Sequence, residues 1–313
     1  MKLKRLFSIL AILYVIVTFA TNTQRVLKIY SHNEVVGSFP ITVIDSIKID
    51  KSNPSDKLIK IYSSDNISEI SVANIDSVKI EVNPEDIPDN EIWYTSIDGT
   101  IVEPYSNDVF GANIISNTYT DKGVIKFDGV VTEIGQCAFM ESINLKTSRL
   151  SQIYIPKSVN IIGEQAFEGC INLKYVYLPN QLLKVGKRAF SRCLKLQEFH
   201  TKLASDDKKC LIVDSVLVAF APYKISEYTT PTGVECISEY VFRDACDLKK
   251  IVISEGVKRI ESFAFEACSK EHDLFDKNYD LDTSLEEVYL PSTLNEIGSY
   301  AFRFQYRIKK FYG

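Results

Sequence analysis

From Ile134 to its last residue this chain repeats itself, and that self-similarity limits the fold more than any other feature. Units open at Ile134-Gly135, Ile162-Gly163, Val185-Gly186, Ile237, Ile260 and Ile297-Gly298, and each leads to an Ala-Phe or Val-Phe pair ending at Phe139, Phe167, Phe190, Phe242, Phe265 or Phe302. In five of the six, that Phe precedes a Leu or Ile by six residues; in the unit at Ile260 an insertion intervenes and the pattern resumes at Leu285. The units at Ile162 and Ile237 run 23 residues to the next. One such unit cannot bury its own apolar face, so a chain of this kind stacks into a solenoid whose stability comes from neighbour on neighbour.

Each part of the unit has a mechanical meaning. The triplet Val176-Tyr177-Leu178 is a short strand with alternating inward and outward side chains. Pro156, Pro179 and Pro291 end such strands, because Pro cannot continue a ladder. Gly at the following turn is expected to supply φ > 0. The Ala-Phe pair is expected on a short helical turn, Ala allowing close approach and Phe filling the core. The fold class predicted is therefore an α/β repeat solenoid, with short parallel strands and short helical turns. A degenerate unit lies between Phe199 and Ile237, where Tyr228-Thr-Thr230-Pro231 aligns with Val176-Tyr-Leu178-Pro179. Its Ala-Phe half is replaced by Leu211 to Phe220, a hairpin around Asp214-Ser215, which brings the strand number to about seven.

Ahead of the repeats, residues 92–133 carry the aromatic pair Trp93-Tyr94 and the turn signals Asp98-Gly99 and Asp128-Gly129, and are placed to cap the open end of the stack. Residues 83–91, with two Pro and three acids in Asn83 to Asn90, read as a linker. Residues 25–82 contain a duplication: Leu27-Lys-Ile-Tyr30 leads to Ile44-Asp-Ser-Ile-Lys-Ile49, and Ile59-Lys-Ile-Tyr62 leads to Ile75-Asp-Ser-Val-Lys-Ile80. Period-2 alternation makes this a small β module.

Residues 1–20 read as a signal peptide. Lys2, Lys4 and Arg5 precede the apolar run Leu6 to Phe19, and Thr18-Phe-Ala20 supplies small residues at a cleavage site. No Cys precedes Cys137, so lipoprotein-type acylation is not expected, and the membrane enters only through export. The balance is that of a globular chain, 45% hydrophobic and 25% charged, and a net charge of −5 gives no electrostatic support for nucleic acid. Seven Cys in an exported chain suggest disulfides. Cys170, Cys193 and Cys268, however, each follow a repeat Phe by three residues, which favours a column of buried free thiols.

At these residues the chain resembles the BspA-like, Treponema pallidum-type leucine-rich-repeat family, over roughly residues 92–313. The unit Ile-Gly-x-x-Ala-Phe-x-x-Cys-x-x-Leu carries the likeness. The duplicated Ile-Asp-Ser stretch and Trp93-Tyr-Thr-Ser96 are also similar to those of exported Bacteroidetes proteins. The resemblance implies a leucine-rich-repeat stack in a secreted or surface protein that binds host or bacterial macromolecules, a protein or glycan ligand. The motif residues themselves are scaffold and carry no ligand chemistry.

The stacking register sets out a solvent-facing strand row of Tyr154, Tyr177, His200, Thr229, Val252, Tyr289 and Tyr312, with Gln152, Tyr175, Glu198, Glu227, Lys250, Glu287 and Lys310 beside it. Tyr154, Tyr175, Tyr177, His200, Tyr289 and Tyr312 are the candidate binding residues, since Tyr is common at recognition surfaces. Cross-strand aromatic packing explains the same row, and both readings stand. The acidic insertion 269–284 superficially follows a calcium loop, but Leu281 stands where the turn Gly belongs, so it reads as solvated. No catalytic function, metal or cofactor is expected: the three His (His32, His200, His272) are far apart and no metal or nucleophile motif occurs. The chain stops on a strand position at Phe311-Tyr312-Gly313, which suggests end-to-end self-association, or a structural role in the cell envelope through that open end.

Overall fold

The structure is a computed structural model that describes residues 25–31, 34–40, 44–50, 58–63, 66–71, 77–82, 87–141, 148–267 and 285–313. The segment read as a signal peptide, the acidic insertion 269–284, and Leu145, Cys268, His32 and His272 lie outside the described residues. The chain divides into two compact units, Met1–Asp86 and Ile87–Gly313.

In the first unit the duplicated halves exchange strands. Arg25–Ser31 pairs with Glu34–Pro40 of its own half, but its other edge takes Ser77–Val82 from the second half. Reciprocally, Leu58–Ser63 pairs with Asn66–Ser71 and with Ile44–Asp50 from the first half. The two resulting three-stranded sheets are antiparallel, and Ile29, Ile59 and Ile61 are buried in them.

The second unit opens with an antiparallel cap. Glu91–Ser96 lies between Gly123–Phe127 and the first repeat strand, Leu150–Tyr154, and Ile114–Tyr119 borders Gly123–Phe127. Cap residues Phe110 and Phe127 pack at 5.1 Å, and Phe110 meets Phe139 of the first repeat at 5.8 Å. From there each coil contributes two strands. The longer ones, Leu150–Tyr154, Tyr175–Tyr177 and Glu198–His200, form one parallel ladder, and Glu227–Thr229, Lys250–Val252, Glu287–Tyr289 and Lys310–Tyr312 form another. Two-residue strands such as Ile161–Ile162 and Arg259–Ile260 make the second side. Between the sides run columns of identical residues: Phe139, Phe167 and Phe190 stack at 5.5 and 5.3 Å, and Phe242, Phe265 and Phe302 at 4.7 and 4.9 Å. Burying each such ring is worth about 1.5–3 kcal/mol, which one isolated unit cannot collect.

The turns expected to be helical are not, and the fold is a β-solenoid rather than an α/β stack: no helix occurs among the described residues. The residue before each Ala-Phe or Val-Phe pair has left-handed backbone, with φ of 57° at Cys137 and Gln165, 58° at Arg188, 62° at Tyr240, 60° at Phe263 and 59° at Tyr300. A right-handed helix cannot pass through such a residue. Instead, alternate N–H groups leave the coil. Cys137, Phe139 and Glu141 donate to the Glu164, Ala166 and Glu168 carbonyls of the next coil, while Ala138 and Met140 donate back to Gly135 and Cys137. The arc is therefore a third ladder. Each left-handed residue costs about 1–2 kcal/mol, which the inter-coil bonds offset.

The role expected of Gly also changes. Gly233 and Gly256, in the turns after the strands, do have positive φ (83° and 103°). The Gly of the Ile-Gly pair does not. A Cβ on Gly163 would lie 2.4 Å from the Gly135 carbonyl carbon, and one on Gly186 would lie 2.4 Å from the Glu164 nitrogen. Close approach of backbones demands Gly there.

The degenerate unit does form a hairpin, Cys210–Val213 with Val216–Phe220, turning at Asp214 (φ 49°) and Ser215 (φ 62°). Its effect on the stack is larger than expected. Leu211 and Ala219 pack into a core group running from Ile92 to Ala221, whereas Cys210, Leu217 and Phe220 pack into a second group ending at Ala301. Apolar on both faces, the hairpin is a wall between two stacks, and the long strand ladder is interrupted at it.

Candidate binding surface

The strand face displays aromatic rings at coil spacing, because equivalent residues of parallel in-register strands sit directly above one another. Tyr154 and Tyr177 stack at 4.2 Å with 11° between planes, and Tyr177 and His200 at 4.3 Å with 16°. Tyr175 meets His200 edge-on at 5.9 Å. A second stack joins Tyr289 and Tyr312 at 4.2 Å. The structure thus brings together Tyr154, Tyr175, Tyr177 and His200, and separately Tyr289 and Tyr312. The single row expected from the sequence is broken, since Glu198–His200 does not pair with Glu227–Thr229. Thr229 and Val252 then hold the register positions ahead of Tyr289.

Polar partners fix the ring edges. The Tyr154 hydroxyl donates to Gln152 Oε1 at 2.9 Å, Tyr175 to Gln197 Oε1 at 3.1 Å and Tyr289 to Glu287 Oε2 at 3.1 Å. His200 Nε2 lies 3.2 Å from Glu198 Oε2, and Lys208 Nζ lies 3.9 Å from the same oxygen. Hydrogen bonding from His200, more than the nearby lysines, holds the Glu198 carboxyl below its ordinary range. Lys310 sits 4.3 Å from the Tyr312 ring centre and Lys250 5.3 Å from that of Tyr289. The ring faces are largely consumed by stacking, so the surface offers ring edges, hydroxyls and flanking charges.

Two aromatic groups escaped the sequence reading. Trp93 is in register with Tyr154 across the antiparallel pair, so it extends the first row into the cap, with Lys122 Nζ 3.1 Å above its ring and its own Nε1 donating to Glu91 at 2.8 Å. Tyr240, Phe263 and Tyr300 form a separate column at the left-handed positions, stacked at 5.2 and 5.4 Å, with Arg243 and Arg303 guanidinium groups 5.7 and 5.5 Å from the Tyr240 and Tyr300 rings. Its signal was an aromatic residue directly before the Ala-Phe or Val-Phe pair in three successive full units.

The thiols are scaffold. Cys170 and Cys193 donate to the Phe139 and Phe167 carbonyls of the preceding coil at 3.1 and 3.2 Å. Burial pushes both thiols far up, and that of Cys210 up to about 12. Cys137, Cys170, Cys193, Cys210 and Cys236 are free, but Cys246 is disulfide-bonded, so the preference for free thiols fails there. Cys246 lies one residue past the column position, which Ala245 occupies. Among the described residues no group of three or more His, Cys, Asp or Glu is placed to hold a metal ion. Nor is any helix among them long and apolar enough to cross a membrane.

Stacked coils with parallel strands and a Phe column define a leucine-rich-repeat solenoid of about six turns. The model of the BspA-type leucine-rich-repeat region matches residues 132–271 and 216–312, in six copies, and the chain belongs to that family. Among solved structures, a leucine-rich cell-surface protein of Faecalibacterium prausnitzii is similar at 19% identity, covering 85% of this chain and 55% of that one, with a TM-score of 0.39. The T. pallidum leucine-rich-repeat protein is 23% identical over 54% of this chain and 66% of its own, with a TM-score of 0.28. A leucine-rich-repeat protein of Eubacterium ventriosum is 17% identical over 64% and 71%, with a TM-score of 0.28. The chain thus spans about half the length of the first of these (55%). No curated protein matches it.

Proposed function

We infer that the chain is an exported, non-enzymatic protein-binding module that meets its ligand on the strand face. The observation that carries this reading is the row Tyr154, Tyr177 and His200, flanked by Tyr175, Gln152 and Glu198, in which Tyr154, Tyr175 and His200 are half-buried and keep part of their surface open, while Tyr177 is covered between its neighbours. Scaffold packing needs only the inward residues, and these outward rings add an amphipathic, rotamer-poor surface of the kind that recognises proteins. Because each inner ring face is covered at 4.2–4.3 Å, stacking on a sugar ring is restricted to the ends of the row, which favours a protein over a glycan. Export is supported by the basic, apolar and small-residue succession of residues 1–20. The absence of catalysis is supported by buried, unactivated thiols.

The test is a binding screen of the mature protein against immobilised matrix proteins and glycans, followed by Y154S/Y177S/Y289S. A folded triple variant should lose binding at least tenfold. Unchanged binding would remove the strand face as the site.

A further inference from the structure

The cap closes one end of the stack but leaves an edge of its own sheet open. Ile114–Tyr119 is the outermost strand of the six-stranded sheet that carries Leu150–Tyr154 and Tyr175–Tyr177, and it pairs only with Gly123–Phe127. Thr120 N–H bonds the Lys122 carbonyl at 3.1 Å, which sets the parity: Ser116 and Thr118 turn their backbone groups toward Gly123–Phe127. Alternation then turns the N–H and C=O groups of Asn117 and Tyr119 away from the sheet. The bulge lies at the far end, between Ile114 and Ser116, and leaves Ser116 to Tyr119 regular.

Native sheets blunt such edges by shortness, charge or cover. The other edge strands of the second unit follow that rule. Glu133–Ile134, Lys184–Val185, Glu198–His200, Glu227–Thr229, Glu296–Ile297 and Lys310–Tyr312 are two or three residues long, and each carries a charge. Cys210–Val213 is uncharged but is bridged by Ala204. Ile114–Tyr119 has six residues, no charge, no Pro and no strand beyond it among the described residues. Ile115 is 59% exposed, and Ser116 and Thr118 are exposed as well. From beneath, the strand is held fixed. Asn117 Oδ1 accepts from the Tyr94 hydroxyl at 2.8 Å, Asn117 Nδ2 donates to the Val102 carbonyl at 3.0 Å, and the Tyr119 hydroxyl accepts from Ser96 N–H at 3.3 Å. The edge is thus ordered before it meets anything, which lowers the cost of association.

We propose that this edge pairs antiparallel with the same edge of a second copy of the chain, about a twofold axis at Thr118. Asn117 of each copy then exchanges both backbone bonds with Tyr119 of the other, and Thr118 faces Thr118 in a non-hydrogen-bonded pair. Because the outward residues flank Thr118 symmetrically, the strand is complementary to itself. Self-pairing also requires that no like charges meet at the axis, and Ser116 to Thr120 carries none. The next charge, Asp121, falls opposite Ile115 of the other copy, and a Thr–Thr pair is itself favourable. Thr118 is in register with Val124, Val124 with Trp93 and Trp93 with Tyr154, so all four project from the same face. An axis normal to the sheet therefore keeps the ring rows of both copies on one side. Their Tyr154 strands lie seven strand positions apart, roughly 34 Å at about 4.8 Å per strand. The pairing depends on the cap edge alone and holds whether or not those rows bind a ligand.

Sedimentation equilibrium of the full chain tests it. A reversible monomer–dimer equilibrium is expected, with a Kd on the order of 10–100 µM for so small an interface. Thr118→Lys sets like charges directly across the axis and should weaken the dimer at least tenfold, and Thr118→Glu should do the same. An equimolar mixture of T118K and T118E should restore a dimer that neither variant forms alone. Thr118 is exposed and its backbone bonds stay inside the sheet, so both variants should keep the parent's circular dichroism. A chain that stays monomeric at about 1 mM, a dimer that T118K leaves intact, or a mixture that stays monomeric overturns the proposal.

Discussion

Gly163→Ala separates the two reasons a repeat can demand glycine. The φ of Gly163 is not in the left-handed region, so backbone freedom alone predicts that Ala is tolerated or stabilises by about 0.4–1 kcal/mol. Close approach predicts the opposite. The new Cβ would lie 2.4 Å from the Gly135 carbonyl carbon and 2.5 Å from the Gln136 nitrogen, more than an ångström inside ordinary contact of about 3.5–4.0 Å. The chain itself shows how a coil yields. Glu261 occupies the same repeat position with a Cβ; its N–H bond to Ile237 is 2.9 Å rather than the 2.6 Å of Gly163 to Ile134, and Tyr240 makes no bond like that of Cys137 to Glu164. Losing one inter-coil hydrogen bond costs about 1 kcal/mol, and overpacking adds about 1–3 kcal/mol. Urea unfolding of G163A should therefore show a loss of about 2–4 kcal/mol. Gly233→Ala, at φ 83° with nothing within 4 Å of the new Cβ, should cost only the left-handed penalty of about 1–2 kcal/mol. A G163A variant as stable as the parent would refute the close-approach argument.

Asp244→Ala should destabilise by about 1–3 kcal/mol in the same assay, because it strands the Arg192 N–H, whereas Asp244→Asn keeps an acceptor and should cost under about 1 kcal/mol. Burial raises the Asp244 carboxyl against the opposing pull of Arg243 and Arg192, so its contribution is present below the unfolded carboxylate range and is lost as pH rises through the raised value. D244N should flatten that part of a stability–pH curve. Glu198 has the opposite sign: its lowered carboxyl stabilises above the ordinary carboxylate range and loses that as pH falls, and His200→Ala should reduce the acid-side loss measured by thermal unfolding. A thiol reagent should label Cys170, Cys193 and Cys210 no faster than the protein unfolds, which stopped-flow labelling against urea unfolding rates will check.

Inward positions were the legible part of this chain. Phe139, Phe167, Phe190, Phe242, Phe265 and Phe302 announce a column because burial admits few residue types, and the Val176-Tyr-Leu178 kind of triplet announces a strand by alternation. The arcs were misread because Ala and Phe with an apolar residue a few positions on mimic helical spacing. What cancels the helix is a left-handed residue that is Cys, Gln, Arg, Tyr, Phe or Tyr in successive coils, with no Gly or Asn to signal it. Within each stack the rings do lie one above another, though Tyr177 is buried rather than solvent-facing, and the row was wrongly carried across the hairpin because Tyr228-Thr-Thr230-Pro231 aligns so well with other strands. The stretch from Leu217 to Tyr228, three residues shorter than its counterpart from Ile162 to Val176, was the available signal. Trp93 joined the row only through antiparallel pairing, which a parallel repeat does not imply.

The left-handed residue of each arc has a consequence for variation. Its side chain is never fully buried in any of the six arcs, and at Cys137, Gln165 and Phe263 the backbone N–H is tied to the next coil. Cys137, Gln165, Arg188, Tyr240, Phe263 and Tyr300 differ in size, charge and shape without disturbing the Ala-Phe pair that follows. Such a position works as movable type in a fixed frame: the scaffold sets spacing and orientation, and the sequence is free to rewrite what is displayed there, coil by coil.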